Sequence, residues 1–369
     1  MDTPRTIAVV SGKGGSGKTM AAATLACLLA NEGAEVILMD GDVGTAGLSY
    51  YLGLKYVRNT RRGFSSFALL APGKPTAEHL DELARALEPV ELSTHSWHSG
   101  FQFLAIGDHR RLSRAFGRAR RARQLGELFA EAVNYIAPSA DTLLIDCRGG
   151  IDEESIAICR VVDEIVMIVE PDTTSFQASQ HLAEVLSDND LGHKLRGFIV
   201  NKAIQDPTVV ARSGGNTLRT QYLGAIPLDI EAARSFLVSE VPDRDSIFAV
   251  HLQDAFSKAY PRLLGPPRAR VWATDDYNRF NVLAPESTRG GVILAFLIVY
   301  VGLVAVAFAV SAQIALTRNL YLVSVITLTV LGAVATQEPL RQLVGRQTEA
   351  ALSFWRPFRR YSGRPQRHK

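Results

Sequence analysis

Residues 11–19 read Ser-Gly-Lys-Gly-Gly-Ser-Gly-Lys-Thr, directly behind the apolar run Ile7-Ala-Val-Val10 and ahead of the Ala- and Leu-rich stretch Met20–Ala30. From Gly12 to Thr19 this fits the phosphate-loop pattern G-x-x-x-x-G-K-[ST], and the flanks supply the buried strand and the helix that the pattern needs. Gly12, Gly14, Gly15 and Gly17, with Ser16 among them, let successive backbone N–H groups converge on phosphate oxygens. The helix N-terminus behind them adds partial positive charge. Lys18 is expected to reach the β- and γ-phosphates, and the Thr19 hydroxyl to hold Mg²⁺, so ATP and Mg²⁺ are the expected ligands.

A strand–loop–helix start predicts an α/β architecture, and the rest of the head agrees. Apolar, β-rich runs at Thr6–Val10, Glu35–Met39, Phe101–Ile106, Thr142–Ile145, Glu164–Val169, Gly197–Val200 and Tyr222–Ile226 read as strands. Helical patterns separate them, among them Ala77–Leu87, Leu125–Ile136 and Gln177–Ser187. Continuous apolar strands alternating with helices predict a doubly wound, mostly parallel sheet of the P-loop NTPase type over residues 1–260.

Two further elements bring carboxylates to the ligand edge of such a sheet. Val36-Ile-Leu-Met-Asp-Gly-Asp-Val-Gly44 places Asp40 and Asp42 at the C-terminal end of a strand, where open α/β sheets bind ligands. Thr142-Leu-Leu-Ile-Asp146 ends another apolar strand in a carboxylate that can hold the Mg²⁺ shell through water, because that ion keeps most of its own waters.

Lys13 is a second lysine inside the loop, and Lys13-Gly-Gly-Ser-Gly-Lys-Thr19 resembles the K-G-G-x-G-K-[ST] deviant Walker A motif of the ParA/MinD ATPases. The resemblance implies that Lys13 crosses an ATP-sandwiched homodimer interface to the partner's nucleotide, joining Lys18 and Asp42 in catalysis. It also implies that Asp42 orients the attacking water and that Asp40 supports the Mg²⁺ hydration shell beside Thr19, Asp42 and Asp146. Gly197-Phe-Ile-Val-Asn-Lys202 resembles the strand whose Asn201 and Lys202 end contacts adenine, and Tyr222-Leu-Gly-Ala-Ile-Pro-Leu-Asp229 the segment whose Pro227 and Asp229 flank the base. The likeness covers about residues 5–260 and is weakest from Lys55 to Gln124. One departure stands at Cys147 and Arg148, where the family has a small residue and Pro after the aspartate.

Composition limits the remaining choices. Cys27, Cys147 and Cys159 are widely spaced, which argues against an iron–sulfur or thiolate metal site. Residues 338–369 hold eight Lys/Arg against two acids while the whole chain is only +3, so the head is slightly acidic. That balance argues against a nucleic-acid partner. The run Arg110, Arg111, Arg114, Arg118, Arg120, Arg121 and Arg123 is the one feature in favour of it, and better fits a solvated, partner-binding or salt-bridged helix face.

The C-terminal third is different in kind. Residues 261–290 contain Pro261, Pro266, Pro267 and Pro285 and read as a linker. Gly290–Thr317 and Asn319–Gln337 carry no charge and are separated only by Arg318, which predicts a transmembrane helical hairpin over 291–337, with spans at about 291–316 and 319–337. The basic tail, 338–369, would then lie in the cytoplasm with the ATPase head, its Trp355 and Phe358 suiting an interfacial helix. The expectation is thus an inner-membrane, two-span, ATP-switched dimer that recruits or positions a protein partner. Alternatives from the same P-loop class are a tyrosine-kinase relative and a DNA-partition ATPase.

Overall fold

The computed structural model of the chain describes residues 5–70, 75–92, 96–116, 119–204 and 214–265; the side chains of residues 119–122 are outside that description. All of these lie in the first of two units, Met1–Arg279. Eight strands form one sheet: β1 (Arg5–Ser11), β2 (Val36–Asp40), β3 (Leu87–Val90), β4 (Phe101–Leu104), β5 (Thr142–Gly149), β6 (Glu164–Val169), β7 (Leu195–Ala203) and β8 (Tyr222–Pro227). Their order is β3-β4-β2-β5-β1-β6-β7-β8. Every pairing is parallel except β3 with β4.

Side chains alternate across β1 into two cores. Ile7 and Val9 face one hydrophobic cluster, Ala8 and Val10 the other, and all four are buried. Helix α1 (Lys18–Asn31), α2 (Gly47–Gly53) and the helix Ile247–Ala259 cover the first face. Helices α3 (Phe64–Leu70), α4 (Ala77–Ala84), α5 (His109–Phe116), α6 (Ala119–Ile136), α7 (Glu153–Val161) and α8 (Thr173–Asp188) cover the second. A central strand buried on both faces is why β1 reads as an unbroken apolar run.

The seven expected strands are all present, and β3 is an eighth. The helical reading of Ala77–Leu87 ends early because Pro89 disfavours helix at the residue before it, and a strand containing proline is tolerated only at a sheet edge. There β3 lies, with Pro89 opposite Gln102 of β4. Packed structure also runs past residue 260: Tyr260 and Leu264 are buried, and Pro261–Leu264 forms a short helix within the stretch expected as linker.

The expected membrane placement needs correction. Among the described residues no helix is long and apolar enough to cross a membrane. The longest, α6, has 18 residues and carries Arg123, Glu127 and Glu131; at about 27 Å it also falls short of a hydrocarbon core of about 30 Å. The inner-membrane, two-span localisation is therefore overturned for this structure. The runs 291–316 and 319–337, the linker beyond residue 265 and the tail 338–369 lie outside the described residues.

Candidate functional site

The loop after β1 sits where β5 and β6 flank it, at the C-terminal edge of the sheet. Three contacts press it into shape. A Cβ on Gly12 would stand 2.3 Å from the Ala178 carbonyl carbon and the Ser179 nitrogen, so the loop backbone lies directly on α8. A Cβ on Gly17 would stand 2.3 Å from Asn201 Nδ2, and one on Gly149 of β5 would stand 2.7 Å from Gly14 Cα. Gly15 and Gly17 have φ of 85° and 89°, the left-handed region open to glycine. Gly14 and Gly15 have no heavy atom within 4 Å of a built Cβ, which leaves that face of the loop free for a ligand.

Gly17 is the N-cap of α1 and supplies no side chain to the helix amides, and α1 has no acid in its first turn. Its N-terminal amides and partial positive charge are therefore left to an anion. Lys18 is buried beside this end, 6% exposed. Ser16 Oγ is buried without a partner, another polar atom in the cradle that is not satisfied by protein.

The residues present fit Mg²⁺. Thr19 Oγ1 donates to Asp146 Oδ2 at 2.7 Å, while Asp146 Oδ1 is buried with no hydrogen-bond partner. Burial is the largest influence on Asp146 and pushes its carboxyl up to about 6, against the opposing pull of Lys18 and the Thr19 hydroxyl. A buried carboxylate held up in this way gains from a cation nearby.

The two carboxylates after β2 do different work from one another. Asp40 is fully buried: Oδ2 accepts from the Ser49 nitrogen at 2.8 Å and the Ser49 hydroxyl at 2.7 Å, and Oδ1 accepts from the Asp42 nitrogen at 2.9 Å. Burial pushes it up to about 7, with the Ser49 hydroxyl opposing. Both its oxygens thus hold the loop 41–49 to the end of β2. Asp42 stands further out: Oδ1 accepts from the nitrogens of Gly44 and Thr45 at 2.9 Å each, and Oδ2 accepts from the Thr45 hydroxyl. Arg148, the residue in the family's proline position, places its Nε 4.0 Å from Asp42 Oδ1 and packs its guanidinium over Gly44.

Lys13 turns outward. Its Nζ lies 2.9 Å from Asp172 Oδ2 and 3.0 Å from Glu170 Oε2. These hydrogen bonds, Asp172 first, raise its ammonium above the ordinary lysine range. Burial works against ionisation of Asp172, but its hydrogen bonds from Thr174 and Lys13 carry the carboxyl down to about 2. Asp172 is also the N-cap of α8, accepting from the Ser175 nitrogen.

The expected adenine contacts serve the loop in this structure. Asn201 Nδ2 donates to the Ser16 carbonyl at 2.8 Å, and Oδ1 accepts from the Lys202 nitrogen. Lys202, at φ 58°, donates through Nζ to the Gly15 carbonyl and to Glu170 Oε1, each at 2.6 Å. Pro227 closes β8 in register with Ala203. Asp229 is spent on capping, its Oδ1 accepting from Glu231 and Ala232 and its Oδ2 from Phe248.

Glu170 and Asp172 are site residues that the motif reading passed over. The signal was present: Glu170 follows β6 at the ligand edge, and Asp172-Thr-Thr-Ser175 is a helix N-cap pattern.

The CobQ/CobB/MinD/ParA nucleotide binding domain matches residues 7–240. An uncharacterized ATP-binding protein of Methanocaldococcus jannaschii is 27% identical over 250 residues, which cover 66% of this chain and 84% of that protein. The chloroplastic septum site-determining protein minD homolog of Arabidopsis thaliana is 28% identical over 240 residues, 63% of this chain and 67% of that protein. The crystal structure of the cell division ATPase MinD of Pyrococcus furiosus aligns with a TM-score of 0.53 at 22% identity, covering 69% of this chain and 99% of that one, a likeness of fold.

Proposed function

Because this chain belongs to the CobQ/CobB/MinD/ParA family of nucleotide-binding domains, we propose that it is an ATP-switched homodimer that positions or recruits a protein partner. It is an ATPase, and ATP and Mg²⁺ are its nucleotide and ion. When bound, the ion neutralises charge on the transferred phosphate and its leaving group.

The chain's own residues divide the work. The loop amides and Lys18 hold the phosphates, Thr19 and Asp146 hold the ion's shell, and Asp42 orients the attacking water. Asp40 keeps the Asp42 loop in place from within the core. Asn201 and Lys202 brace the loop carbonyls while Pro227 and Asp229 shape the base end.

Lys13 carries the dimer reading. An ammonium inside a phosphate loop that pairs with Glu170 and Asp172 at 2.9–3.0 Å is directed to the outer rim. On that rim it is placed to exchange these acids for a second protomer's nucleotide. Sedimentation of the purified protein with ATP and Mg²⁺ should show a dimer, and with ADP or as Lys18→Ala a monomer. Capture from lysate with Asp42→Ala in ATP should retain a protein that Lys18→Ala does not. A single sedimenting species under every condition would sink the switch.

A further inference from the structure

An open cleft of about 660 Å³ lies between α2, α3 and the first turn of α5, with a lining distinct from the phosphate loop. That is ample for a few residues of peptide, since ordinary ligand pockets span about 300–1,000 Å³. Arg61, Arg110 and Arg111 line it, and none of the three forms an ion pair among the described residues. The carboxylate in the lining, Asp108, accepts from the Arg111 nitrogen at 2.9 Å and so caps α5.

Beside these cations stand two large apolar side chains. Tyr50 and Leu70 are each 56% exposed. Unpaired guanidinium groups around an exposed apolar floor complement an acid-flanked hydrophobic segment: the charges steer and fix its register, and the apolar side chain supplies affinity. A nucleic-acid backbone would satisfy the arginines but set Tyr50 and Leu70 against sugar and phosphate. The slightly acidic head also repels a long polyanion.

The cleft shares a wall with the Asp42 loop. Ser49, in its lining, donates twice to Asp40 and accepts from the Ile106 nitrogen at 2.9 Å. Asp40 in turn accepts from the Asp42 nitrogen. The rings of Tyr50 and His109 meet edge-on at 5.7 Å, linking α2 to the start of α5. A ligand seated here is two hydrogen-bonded residues from Asp42.

We propose that this cleft binds a short acidic segment of a protein partner, anchored by an apolar side chain, and that Ser49 and Asp40 pass its occupancy to the Asp42 loop. This rests on the partner-recruiting reading above and names the partner's chemistry. The test is selection of a random 12-residue peptide library on the full-length protein. Sequences with Glu or Asp flanking Leu, Ile or Phe should be enriched. Their affinity should fall roughly tenfold or more in Arg110→Glu/Arg111→Glu and several-fold in Leu70→Ser, with ATP binding unchanged. A saturating selected peptide should shift basal ATP turnover at least about twofold in the wild type and leave the double variant unmoved. No acid-plus-apolar class, equal binding by the double variant, or a turnover unmoved by bound peptide overturns the proposal. So does a 20-base-pair DNA duplex bound by the wild type and lost in the double variant. Failure of the ATP-dependent dimer with peptide selection intact would sink the switch and spare the cleft.

Discussion

The ammonium of Lys13 lies 2.9 Å from the Asp172 carboxylate and 159 residues from it in sequence, so the phosphate loop and the N-terminus of α8 are joined by charge. The same α8 carries Gly12 on its backbone at Ala178 and Ser179. A movement of this helix therefore reaches the loop at two points. In the proposed switch the acids hold Lys13 in the free protomer and compete with the partner's nucleotide. Glu170 pairs with both Lys13 and Lys202, and Glu170→Gln weakens that hold without touching the Asp172 cap. The concentration for half-dimerisation in ATP and Mg²⁺ should fall about three- to tenfold. An unchanged sedimentation midpoint would show that the acids do not restrain Lys13.

Two glycines of the loop should behave oppositely. Gly12→Ala drives a methyl into α8 backbone at 2.3 Å and should cost about 1–3 kcal/mol of stability, with at least tenfold weaker ATP binding. Gly14→Ala meets nothing within 4 Å and should leave stability within about 0.5 kcal/mol. Thermal and urea melts of the two variants check this, and equal stabilities would contradict the close approach of Gly12 to α8.

Buried carboxyls set a pH dependence. Asp40 lies at about 7 and Asp146 at about 6 in the fold, against 3.8 for an exposed aspartate. Between pH 4 and 7 the folded protein thus binds more protons than the unfolded chain. Stability is therefore fullest on the acid side of this window, falls as pH rises through it, and levels off above about 7. Asp172, held down to about 2, contributes in the opposite sense: its stabilisation is full above about pH 5 and is lost as pH falls below that. The nucleotide-free protein should lose on the order of 3 kcal/mol between pH 5 and 7, at up to about 1.4 kcal/mol per pH unit for each group. Urea midpoints across that range check this, and Asp40→Asn should flatten the slope whatever its absolute stability.

Arg148 stands where the family places proline, and the structure sets its guanidinium on the Asp42 loop. An ion pair at 4.0 Å with a half-exposed arginine contributes about 0–1 kcal/mol. Arg148→Ala should therefore leave the melting temperature nearly unchanged. If the pair holds Asp42 in its resting loop, basal turnover should rise, by up to about fivefold. Steady-state ATP hydrolysis beside a thermal melt separates the two effects.

Much of this architecture was legible in the residues themselves. Strands buried on both faces announce themselves as apolar runs, and the phosphate loop packs its chemistry into consecutive residues, so β1, the loop and α1 could be read directly. What the residues alone did not show depended on contacts distant in sequence. β3 is a half-buried edge strand with proline in it, and Leu87 looked helical until β4 paired with it. The residue type of Asn201 suggests a base contact but gives no sign that its amide also donates to the Ser16 carbonyl, 185 residues away. Asp40 and Asp42 look alike in sequence, and only burial separates the core hydrogen-bond acceptor from the loop carboxylate. The uncharged runs after residue 290 are clear in composition, but no described helix provides a membrane span.

In the proposed dimer Lys13 acts on a nucleotide whose water is held by the other protomer's Asp42. Mixing Lys13→Ala with Asp42→Ala protein tests it directly, with ATP hydrolysis as the readout. Each variant alone should be inactive. In a two-fold dimer, random pairing gives mixed dimers with one intact site each, so the mixture should recover about a quarter of wild-type turnover. A mixture no more active than the sum of its parts would show that Lys13 does not act across the dimer.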